Sequence, residues 1–549
     1  MLEKPVLSVK NLSVAFGDAV AVHDLSFDIH AGETLALVGE SGSGKSVTAL
    51  SVLRLIEREG GRIAGGQIRL GADAPVDLAA LTDRQMQAYR GNRVSMIFQE
   101  PMTSLNPVMR IGEQLCEVLR RHQGMNRSDA MQAAEAALAQ VRIPEPARRL
   151  RQYPHELSGG LRQRVMIAIA LACRPDVLIA DEPTTALDVT TQAEVLKLLK
   201  TLQAEIGMAI LFITHDMGVV AEVADRVVVL RRGVTEEVGT VTQLFETPQS
   251  DYARDLMAAT PKLGQSPIRP PVPQAAPVLK VSSLSKSFAQ NGGLFTAKTR
   301  THAVRDVSFE IYPGETLGLV GESGCGKSTL SRSLMRLIEP DAGTIQLAGQ
   351  DIMALGAAGL RQARGKVQMV FQDPFASLNP RMTVRDLITE PAYLHSGISG
   401  LERDALARDL LQKVTLDPDV ADRYPHQFSG GQRQRLCIAR ALSVSPELIV
   451  ADEAVSALDV STAARVTKLM QELQDALGLS FLFISHDIAV VERVSHRIAV
   501  MYQGQIVEIG GAEQVLRNPQ HAYTQKLLSA VPAAKPRPRP SPQKAETVG

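Results

Sequence analysis

The chain has 549 residues, of which 45% are hydrophobic and 21% charged, so it is long enough for more than one domain and can fill real hydrophobic cores. Lysine plus arginine equals aspartate plus glutamate at 59 each, which excludes an overall basic field that would draw the chain to nucleic acid or anionic lipid. The four cysteines are scattered, a pattern that argues against a disulfide framework, a zinc knuckle or an iron–sulfur cluster.

The apolar residues of the chain are not arranged as a membrane span. We find no run of about 18 uninterrupted apolar residues, which is the length a helix needs to cross a bilayer. The start, M-L-E-K-P-V-L-S-V-K, has no basic segment followed by an apolar run, which disfavours a secretion signal.

In chain order, the run T-L-A-L-V predicts a short buried strand that leads into a glycine-rich turn at Gly39. Apolar residues from Val47 to Ile56 recur at helical spacing and predict a helix directly after the turn. The runs V-L-I-A-D-E and M-A-I-L-F-I-T-H-D predict two further buried strands, one ending in a carboxylate pair and the other in a histidine. Much of the chain between Gln99 and these strands is helical in pattern and predicts a helical lobe.

The same elements then occur a second time. A-V-H-D-L-S-F-D-I in the first half matches A-V-R-D-V-S-F-E-I in the second, and the step from glutamate to histidine is 33 residues in both copies. Two unrelated domains would not keep these matches by chance, so the chain is a duplication. We expect repeats at 1–262 and 278–533, a proline-rich spacer at 263–277 and a disordered tail at 534–549.

The order of the elements predicts an α/β fold. Continuous apolar strands that alternate with helices favour a mainly parallel sheet covered on both faces. Polar residues at the carboxyl ends of such strands meet at one edge, where ligands bind.

Each copy contains the pattern G-x-x-x-x-G-K-[ST], preceded by a strand and followed by a helix. Its glycines let backbone N–H groups curl around phosphate oxygens, the lysine reaches the β- and γ-phosphates, and the hydroxyl can bind Mg²⁺. The candidate phosphate-binding residues are Gly39, Ser41, Gly42, Ser43, Gly44, Lys45, Ser46 and Val47, and Gly321, Ser323, Gly324, Cys325, Gly326, Lys327, Ser328 and Thr329.

An acidic pair ends one buried strand in each copy, and a histidine ends another. The first acid can hold Mg²⁺ and the second can orient the attacking water, while the histidine can contact the γ-phosphate. The alternatives without a role in catalysis are a solvated acidic loop and a structural histidine. The equal spacing from glutamate to histidine in both copies disfavours them. These candidates are Asp181, Glu182 and His215, and Asp452, Glu453 and His486.

A serine–glycine–glycine segment precedes a helical run in both copies. A serine and exposed N–H groups at a helix start can bind phosphate, but the same pattern is also an ordinary helix N-cap. The residues are Ser158, Gly159 and Gly160, and Ser429, Gly430, Gly431 and Gln432.

In this order, the phosphate loop, the glutamine, S-G-G, D-E, A-L-D and the histidine resemble the nucleotide-binding domain of ABC transporters, twice over. The resemblance implies two tandem P-loop domains, each with a RecA-like sheet and a helical subdomain, that bind ATP and Mg²⁺ and hydrolyse ATP. In that family two such domains pack head to tail, which would pair Lys45 with Ser429 and Lys327 with Ser158.

Further roles follow from the resemblance alone. Gln99 and Gln372 would touch Mg²⁺ and the attacking water, and would join the carboxylates and the hydroxyls of Ser46 and Ser328 around the metal. Asp188 and Asp459 would lie in turns that link the two sites. Phe16 is at the position of an adenine-stacking aromatic residue, whereas the equivalent Phe288 precedes about ten extra residues, A-Q-N-G-G-L-F-T-A-K.

The segments F-Q-E-P-M-T-S-L-N-P and N-P-Q-H-A-Y-T-Q-K-L-L-S-A-V-P resemble the peptide and nickel importer branch. The fused form with D-E-P-T-T-A-L-D-V-T is similar to the ATP-binding subunits of bacterial glutathione importers. That resemblance implies two integral permease subunits and a periplasmic solute-binding protein as partners, at the cytoplasmic face of the inner membrane. Other peptides or nickel chelates are alternative solutes.

Three other functions are weighed against this one. A soluble twin-ATPase that acts on ribosomes is disfavoured by the short linker and the zero net charge. The closing segments disfavour an exporter, and both retained glutamates disfavour a scaffold that binds ATP without turnover. Departures from the family pattern are Leu161 after S-G-G, Ala454 and Val455 after D-E, and S-D-Y and H-A-Y in place of H-P-Y.

Overall fold

The computed structural model describes residues 4–100, 104–185, 187–273, 275–290 and 299–533. The predicted tail at 534–549 and positions 291–298 of the insertion in the second copy lie outside these residues. The chain forms two compact units, the first consisting mainly of residues up to Ala258 and the second mainly of Ala259–Val531.

The centre of the first unit is a six-stranded sheet in the order β10-β9-β3-β8-β7-β6, parallel except for the edge strand β10. Three of its strands, β3, β7 and β8, are buried along their whole length, because they are short aliphatic runs covered on both faces. The bounds are β3 Thr34–Val38, β6 Val94–Ile97, β7 Val177–Asp181, β8 Ala209–Ile213, β9 Arg226–Arg231 and β10 Val234–Thr240.

A second, antiparallel sheet in the order β2-β1-β4-β5 lies in the same unit. Its strands are β1 Leu7–Phe16, β2 Ala19–Ile29, β4 Gly61–Leu70 and β5 Val76–Asp77. Alternate residues of β1 and β2 point into a core shared with the helix after the phosphate loop.

The helices of the first half cover the parallel sheet and form the predicted lobe. In the lobe, α3, α4 and α6 pack around an apolar core that includes Leu115, Leu138 and Ile167 and extends to residues of β7 and β8. The bounds are α1 Lys45–Val52, α2 Asp83–Met86, α3 Ile111–Gln123, α4 Arg127–Gln140, α5 Pro146–Arg149, α6 Gly159–Leu171, α7 Val189–Ile206, α8 Met217–Val223, α9 Val241–Glu246 and α10 Asp251–Ala259.

The second unit repeats this architecture, with sheets in the orders β12-β11-β14-β15 and β16-β17-β18-β13-β19-β20. Its strands are β11 Leu279–Gln290, β12 Thr299–Ile311, β13 Thr316–Val320, β14 Ala342–Leu347, β15 Gln350–Asp351, β16 Val367–Val370, β17 Leu448–Asp452, β18 Ser480–Ile484, β19 Arg497–Tyr502 and β20 Gln505–Gly511. Its helices are α11 Lys327–Leu334, α12 Ala357–Lys366, α13 Pro374–Ser377, α14 Val384–Ser396, α15 Gly400–Lys413, α16 Gly430–Leu442, α17 Val460–Leu477, α18 Ile488–Val494, α19 Ala512–Arg517 and α20 Ala522–Ser529.

The proline-rich segment after residue 260 packs on the second unit. Leu263 and Ile268 contact its apolar core, and the backbone N–H of Gly264 donates to the carboxylate of Glu492 at 2.8 Å. Arg269 donates to Gln474 and, at 2.9 Å, to Asp475. The segment read from sequence as a spacer is therefore anchored in part on its C-terminal neighbour.

Among the described residues, no helix combines the length and the apolar character that crossing a bilayer requires.

Candidate functional site

In each unit, four parallel strands end side by side and bring the candidate residues to one edge. In the first unit Ile97 pairs with Ala180, and Ile213 pairs with both Asp181 and Leu37. The loop at Gly39, the glutamine after β6, the acids after β7 and the histidine after β8 therefore lie next to one another. This is the edge at which the sequence predicts the ligand.

The phosphate loop of the first unit has a backbone that only glycine tolerates at its start. Gly39 has φ +151°, and a Cβ there would lie 2.1 Å from the carbonyl oxygen of Leu230. Gly44 has φ +99° and begins α1. These two conformations curl the chain so that its N–H groups and the start of α1 can surround an anion.

Lys45 is buried, with 7% of its surface exposed, and its ammonium group is held inside the loop. Its Nζ donates to the carbonyl oxygens of Gly39 and Glu40, each at 2.7 Å, and lies 3.4 Å from the Ser43 hydroxyl. A buried ammonium group that points into the loop in this way is positioned to bind an anion that enters it.

The second loop has the same geometry with one chemical difference. Lys327 Nζ donates to the carbonyl oxygens of Gly321 at 2.7 Å and Glu322 at 2.9 Å. Cys325 replaces the serine, and its Sγ lies 3.8 Å from Nζ. Burial raises the pKa of the Cys325 thiol, although nearby Lys327 lowers it, so the thiol stays protonated at neutral pH.

Asp181 ends β7 and is buried beside the phosphate loop. The Ser46 hydroxyl donates to its Oδ1 at 3.3 Å. Burial raises the pKa of Asp181 to about 6, although the Ser46 hydrogen bond lowers it. A carboxylate in this position needs a cation or further donors to be stable in its charged form.

Asp452 occupies the same place in the second unit but has a different partner. The hydroxyl of Ser331, one turn into α11, donates to its Oδ2 at 2.9 Å. Within the described part of the chain, the buried Oδ1 has no hydrogen-bond partner. Burial also raises the pKa of Asp452, although the Ser331 hydrogen bond lowers it.

Glu182 contacts two other candidate residues of the first site and one residue of its own loop. Its backbone is in the left-handed region, φ 46°, and its N–H donates to the carbonyl of Ile213 at 2.9 Å. Its carboxylate contacts His215 Nδ1 at 3.0 Å, Gln99 Nε2 at 3.0 Å and the Thr185 hydroxyl at 2.8 Å. The turn thus aims the carboxylate at residues from two other strands and its own loop.

The charges of this glutamate and histidine stabilise each other. Burial opposes both charges, but the His215 contact and the Thr185 hydrogen bond hold the pKa of Glu182 below its usual value. The same contact raises the pKa of His215, although burial lowers it. An ionised carboxylate next to a histidine can orient a water molecule and steady negative charge nearby.

Glu453 repeats this arrangement in the second unit with fewer partners. It has φ 51°, accepts from Gln372 Nε2 at 2.9 Å and lies 3.4 Å from His486 Nδ1. The Ser456 hydroxyl donates to the backbone carbonyl of Glu453 at 2.9 Å and not to its carboxylate. The His486 contact, against the effect of burial, lowers the pKa of Glu453.

The S-G-G serines begin the helices α6 and α16 of their own lobes. The hydroxyls of Ser158 and Ser429 accept from the N–H groups of Leu161 and Gln432, each at 3.4 Å. The Ser429 N–H in turn donates to Oε1 of Gln432 at 3.0 Å, a contact for which Leu161 has no acceptor. Both serines are therefore N-caps, and their binding of phosphate stays a prediction.

The two aromatic candidates have different surroundings. Phe16 at the end of β1 is half-buried against the core, and its ring lies over Gly61. Phe288 on β11 is 42% exposed, with Lys286 Nζ 5.7 Å from its ring centroid.

The two A-L-D aspartates organise the turns that precede long helices. Asp459 caps α17 by accepting from the N–H of Thr462 at 2.9 Å. The Thr190 hydroxyl donates to Asp188 at 2.8 Å.

Four contacts at the site were not anticipated from the motifs. Thr185 on Glu182 and Ser331 on Asp452 lie in a loop and a helix whose register only the fold defines. Tyr252 and Tyr523 reach the phosphate loops from the closing segments. Equal spacing after the two histidines was the available signal for the tyrosines, because each lies at the same distance from its histidine.

Family comparison agrees with the fold. The family model described as ABC transporter matches residues 22–185 and 304–456, more than half of the chain. The model described as the oligopeptide/dipeptide transporter C-terminal region matches residues 507–548. The chain belongs to the ABC transporter family and contains two of its ATP-binding domains, which confirms the predicted family and fold.

Individual relatives match along nearly the whole chain. A "Glutathione import ATP-binding protein GsiA" from Escherichia coli O157:H7 is 53% identical over 566 residues, covering 97% of this chain and 91% of that protein. A protein of the same name from Shigella dysenteriae serotype 1 (strain Sd197) is 53% identical over 568 residues, with the same coverage. A solved dimer of the ATP-binding cassette MJ0796 with ADP and Pi is 29% identical, covers 43% of this chain and 98% of that chain, and has a TM-score of 0.39.

Proposed function

We propose that this protein is the ATP-hydrolysing subunit of a bacterial importer that moves a small peptide, most favourably glutathione, through separate membrane permeases. The observation that carries the proposal is 53% identity over 97% of the chain to proteins named for glutathione import. The match to an oligopeptide/dipeptide transporter region supports a peptide as solute, with other peptides or nickel chelates as alternatives.

In each unit, the phosphate loop binds the triphosphate of ATP. Lys45 and Lys327 are buried ammonium groups whose neighbours are backbone carbonyl oxygens, so an arriving phosphate gains a charge-assisted contact. The N-termini of α1 and α11 add their positive ends. The remaining predicted loop residues contribute backbone N–H groups.

Mg²⁺ fits the residues at both sites. Hydroxyl, carboxylate and amide oxygens are the hard ligands that this ion prefers. Asp181 and Asp452 are buried with raised pKa values, and Oδ1 of Asp452 has no partner among the described residues, so a cation offsets their burial. When bound, Mg²⁺ neutralises phosphate charge. Its proposed ligands are Ser46, Gln99, Asp181, Ser328, Gln372 and Asp452.

The hydrolytic step is assigned to the glutamate, glutamine and histidine of each unit. Glu182 and Glu453 are held ionised and orient the attacking water or accept its proton, and His215 and His486 hold the γ-phosphate side of the site. Gln99 and Gln372 donate to these carboxylates and position them against the water.

Each ATP is proposed to be shared between the two units, as the family resemblance implies. One site pairs Lys45 with Ser429 and the other pairs Lys327 with Ser158. Each serine is the N-cap of a helix whose first N–H groups, on its glycines, have no acceptor within the helix, a geometry suited to phosphate oxygens. Phe16 stacks on adenine in the first site, and Phe288 is the weaker candidate in the second.

The proposed partners are two integral permease subunits and a periplasmic solute-binding protein, with this chain on the cytoplasmic face of the inner membrane. The coupling surfaces are proposed near 99–107 and 372–380, of which 101–103 lie outside the described residues. Val108 and Phe375 next to or within these segments expose 79% and 65% of their surface, which suits docking to another protein.

A transport assay tests the solute. In a strain lacking this chain, we expect uptake of labelled glutathione to be lost, to return with the wild-type chain, and to stay lost with the paired change Lys45→Ala and Lys327→Ala. An excess of an unlabelled dipeptide should compete weakly. Glutathione uptake that is unchanged without the chain contradicts the proposal, and complete competition by the dipeptide assigns a broader peptide substrate.

Single glutamate substitutions test the catalytic assignment. Glu182→Gln and Glu453→Gln keep the shape and remove the negative charge. We expect each change to lower turnover at its own site by about a hundredfold or more, the effect of a lost general base. Total turnover then falls by about half if the two sites fire independently, and further if they are coupled. If either change alone leaves turnover untouched, hydrolysis at both sites is disproved.

A further inference from the structure

The first peptide group of each phosphate loop is held at both ends. In the first unit, the N–H of Glu40 donates to the hydroxyl of Tyr252 at 3.3 Å. The carbonyl oxygen of the same peptide group, on Gly39, accepts from Lys45 Nζ at 2.7 Å. A rotation of this group would therefore break a contact to the tyrosine and a contact to the lysine together.

The second unit contains the same arrangement. The N–H of Glu322 donates to the hydroxyl of Tyr523 at 3.1 Å, and the carbonyl oxygen of Gly321 accepts from Lys327 Nζ at 2.7 Å. Both units keep the tyrosine contact and the lysine contact although their sequences differ elsewhere in these regions. The repetition argues that the two contacts are not a coincidence of packing.

The tyrosine rings are fixed, although by different means. Tyr252 in α10 is 6% exposed, and the guanidinium carbon of Arg231 lies 4.8 Å from its ring centroid. Tyr523 in α20 is 7% exposed and stacks on Tyr502 with centroids 4.1 Å apart. Arg231 and Tyr502 both end the strand that follows the histidine's helix, β9 and β19. The closing helices thus present a rigid hydroxyl to the loop.

Each of these peptide groups begins at a glycine, so no side chain of that residue can hold the orientation of the peptide group. Gly321 has φ +156°, and a Cβ there would lie 2.2 Å from the carbonyl oxygen of Met501, as at Gly39. The orientation of the peptide group consequently depends on its hydrogen-bond partners. Of these, the tyrosine is the one supplied by the closing segment of each unit.

We propose that Tyr252 and Tyr523 are positioning residues that preset the phosphate loops for ATP. They act through the Gly39–Glu40 and Gly321–Glu322 peptide groups and do not themselves contact the nucleotide. The inference deepens the proposed function and rests on ATP being the ligand of these loops. It assigns to the closing segments a role in nucleotide affinity.

If the tyrosines order the phosphate loop before ATP binds, their loss should affect ATP binding more than turnover. A loop that is already ordered binds its ligand more tightly, because less conformational freedom is lost on binding. The tyrosine hydroxyls contact the phosphate loops, whereas the proposed action on the water is assigned to the glutamates and histidines. Loss of the hydroxyl should therefore weaken ATP binding while the turnover of bound ATP is nearly kept.

The test uses the purified full-length chain with Tyr252→Phe, Tyr523→Phe and both changes. Phenylalanine keeps the ring and removes only the hydroxyl. Tyr502→Phe is the matched control, because its hydroxyl accepts from the exposed Gln503 side chain and, within the described part of the chain, forms no hydrogen bond with the loop. Dissociation constants of Mg·ATP, steady-state KM and kcat, and melting temperature without nucleotide are measured for each.

We expect each single change to raise the dissociation constant and KM for ATP about threefold to tenfold, the range for one lost hydrogen bond to a partly buried donor. kcat should stay within about twofold and the control should match wild type. Unchanged affinity in both variants overturns the inference, as does an equal loss in the control. An inactive wild-type chain instead overturns the proposed function and leaves the binding comparison to decide the role of the tyrosines.

Discussion

The two proposed catalytic glutamates differ in one hydrogen bond. Glu182 accepts from the Thr185 hydroxyl, whereas the Ser456 hydroxyl at the matching position donates to the backbone of Glu453. The histidine contact is also shorter in the first unit, 3.0 Å against 3.4 Å. The first carboxylate is thus held by more partners, and the two sites are chemically similar but not equal.

A second residue difference between the units predicts that acid destabilises the second one. His496 is 6% exposed, and its Nδ1 accepts from the Thr316 N–H at 2.9 Å. Burial and nearby Arg269 lower the pKa of His496 to about 4, although Asp475 raises it. An imidazolium cannot accept this hydrogen bond, so the neutral ring is the folded form.

We expect the second unit to lose stability as pH falls through the pKa of an unfolded histidine, about 6.5, towards about 4. The pKa of His496 is lower in the folded chain than in the unfolded chain, so at acid pH the unfolded chain binds the extra proton. Acid therefore stabilises the unfolded chain relative to the folded one. The loss is about 2 kcal/mol at pH 5. Scanning calorimetry at pH 7 and pH 5 measures it.

The first unit supplies the matched control for this prediction. Asp225 takes the place of His496, and its carboxylate accepts from the Thr34 N–H at 2.8 Å. His496→Asp should therefore keep the hydrogen bond and remove most of the acid sensitivity between pH 7 and pH 5. An unchanged difference between the two pH values in this variant shows that His496 is not its source.

Among individual residues, the sequence motifs predicted the lysines, acids, glutamines and histidines that the fold brings together. They did not predict Thr185, Ser331 or the loop-contacting tyrosines. Those contacts depend on how a turn or helix is rotated, which the chain's local pattern does not encode.

Among the elements, the segment between the units has more structure than its composition indicates. Its prolines predict an extended spacer, but Leu263 and Ile268 pack on the core of the second unit. In an extended chain, alternate apolar side chains can pack on a neighbouring surface. The composition of the segment does not show which surface that is.

Ile268→Ala tests whether this packing stabilises the second unit. The side chain is half-buried, so we expect a loss of about 1 kcal/mol, less than the range for fully buried isoleucine. Chemical denaturation of the second unit gives the value. Gln265→Ala, at an exposed position of the same segment, should have no effect, and equal stability of the two variants contradicts the packing role.

The buried parallel strands were the best-predicted elements, because short aliphatic runs such as β7 and β17 end in the motif residues. The antiparallel sheet of β1, β2, β4 and β5 was not foreseen. Its strands have one half-buried face and register shifts, as between Val9 and Leu12, which weaken a simple alternating pattern.

For the whole molecule, the duplication predicted from the sequence recurs as two units with the same two sheets and helical lobe. It gives one polypeptide two phosphate loops and two S-G-G helices. In our account these pair crosswise, so that ATP binding and the closing of the two units are one event.

A structure of the full chain with Mg·ATP, carrying Glu182→Gln and Glu453→Gln to prevent turnover, tests this pairing most directly. The account predicts one triphosphate between Lys45 and Ser429 and another between Lys327 and Ser158. Two triphosphates that each contact residues of a single unit alone, with Ser158 and Ser429 remote from both, would contradict it.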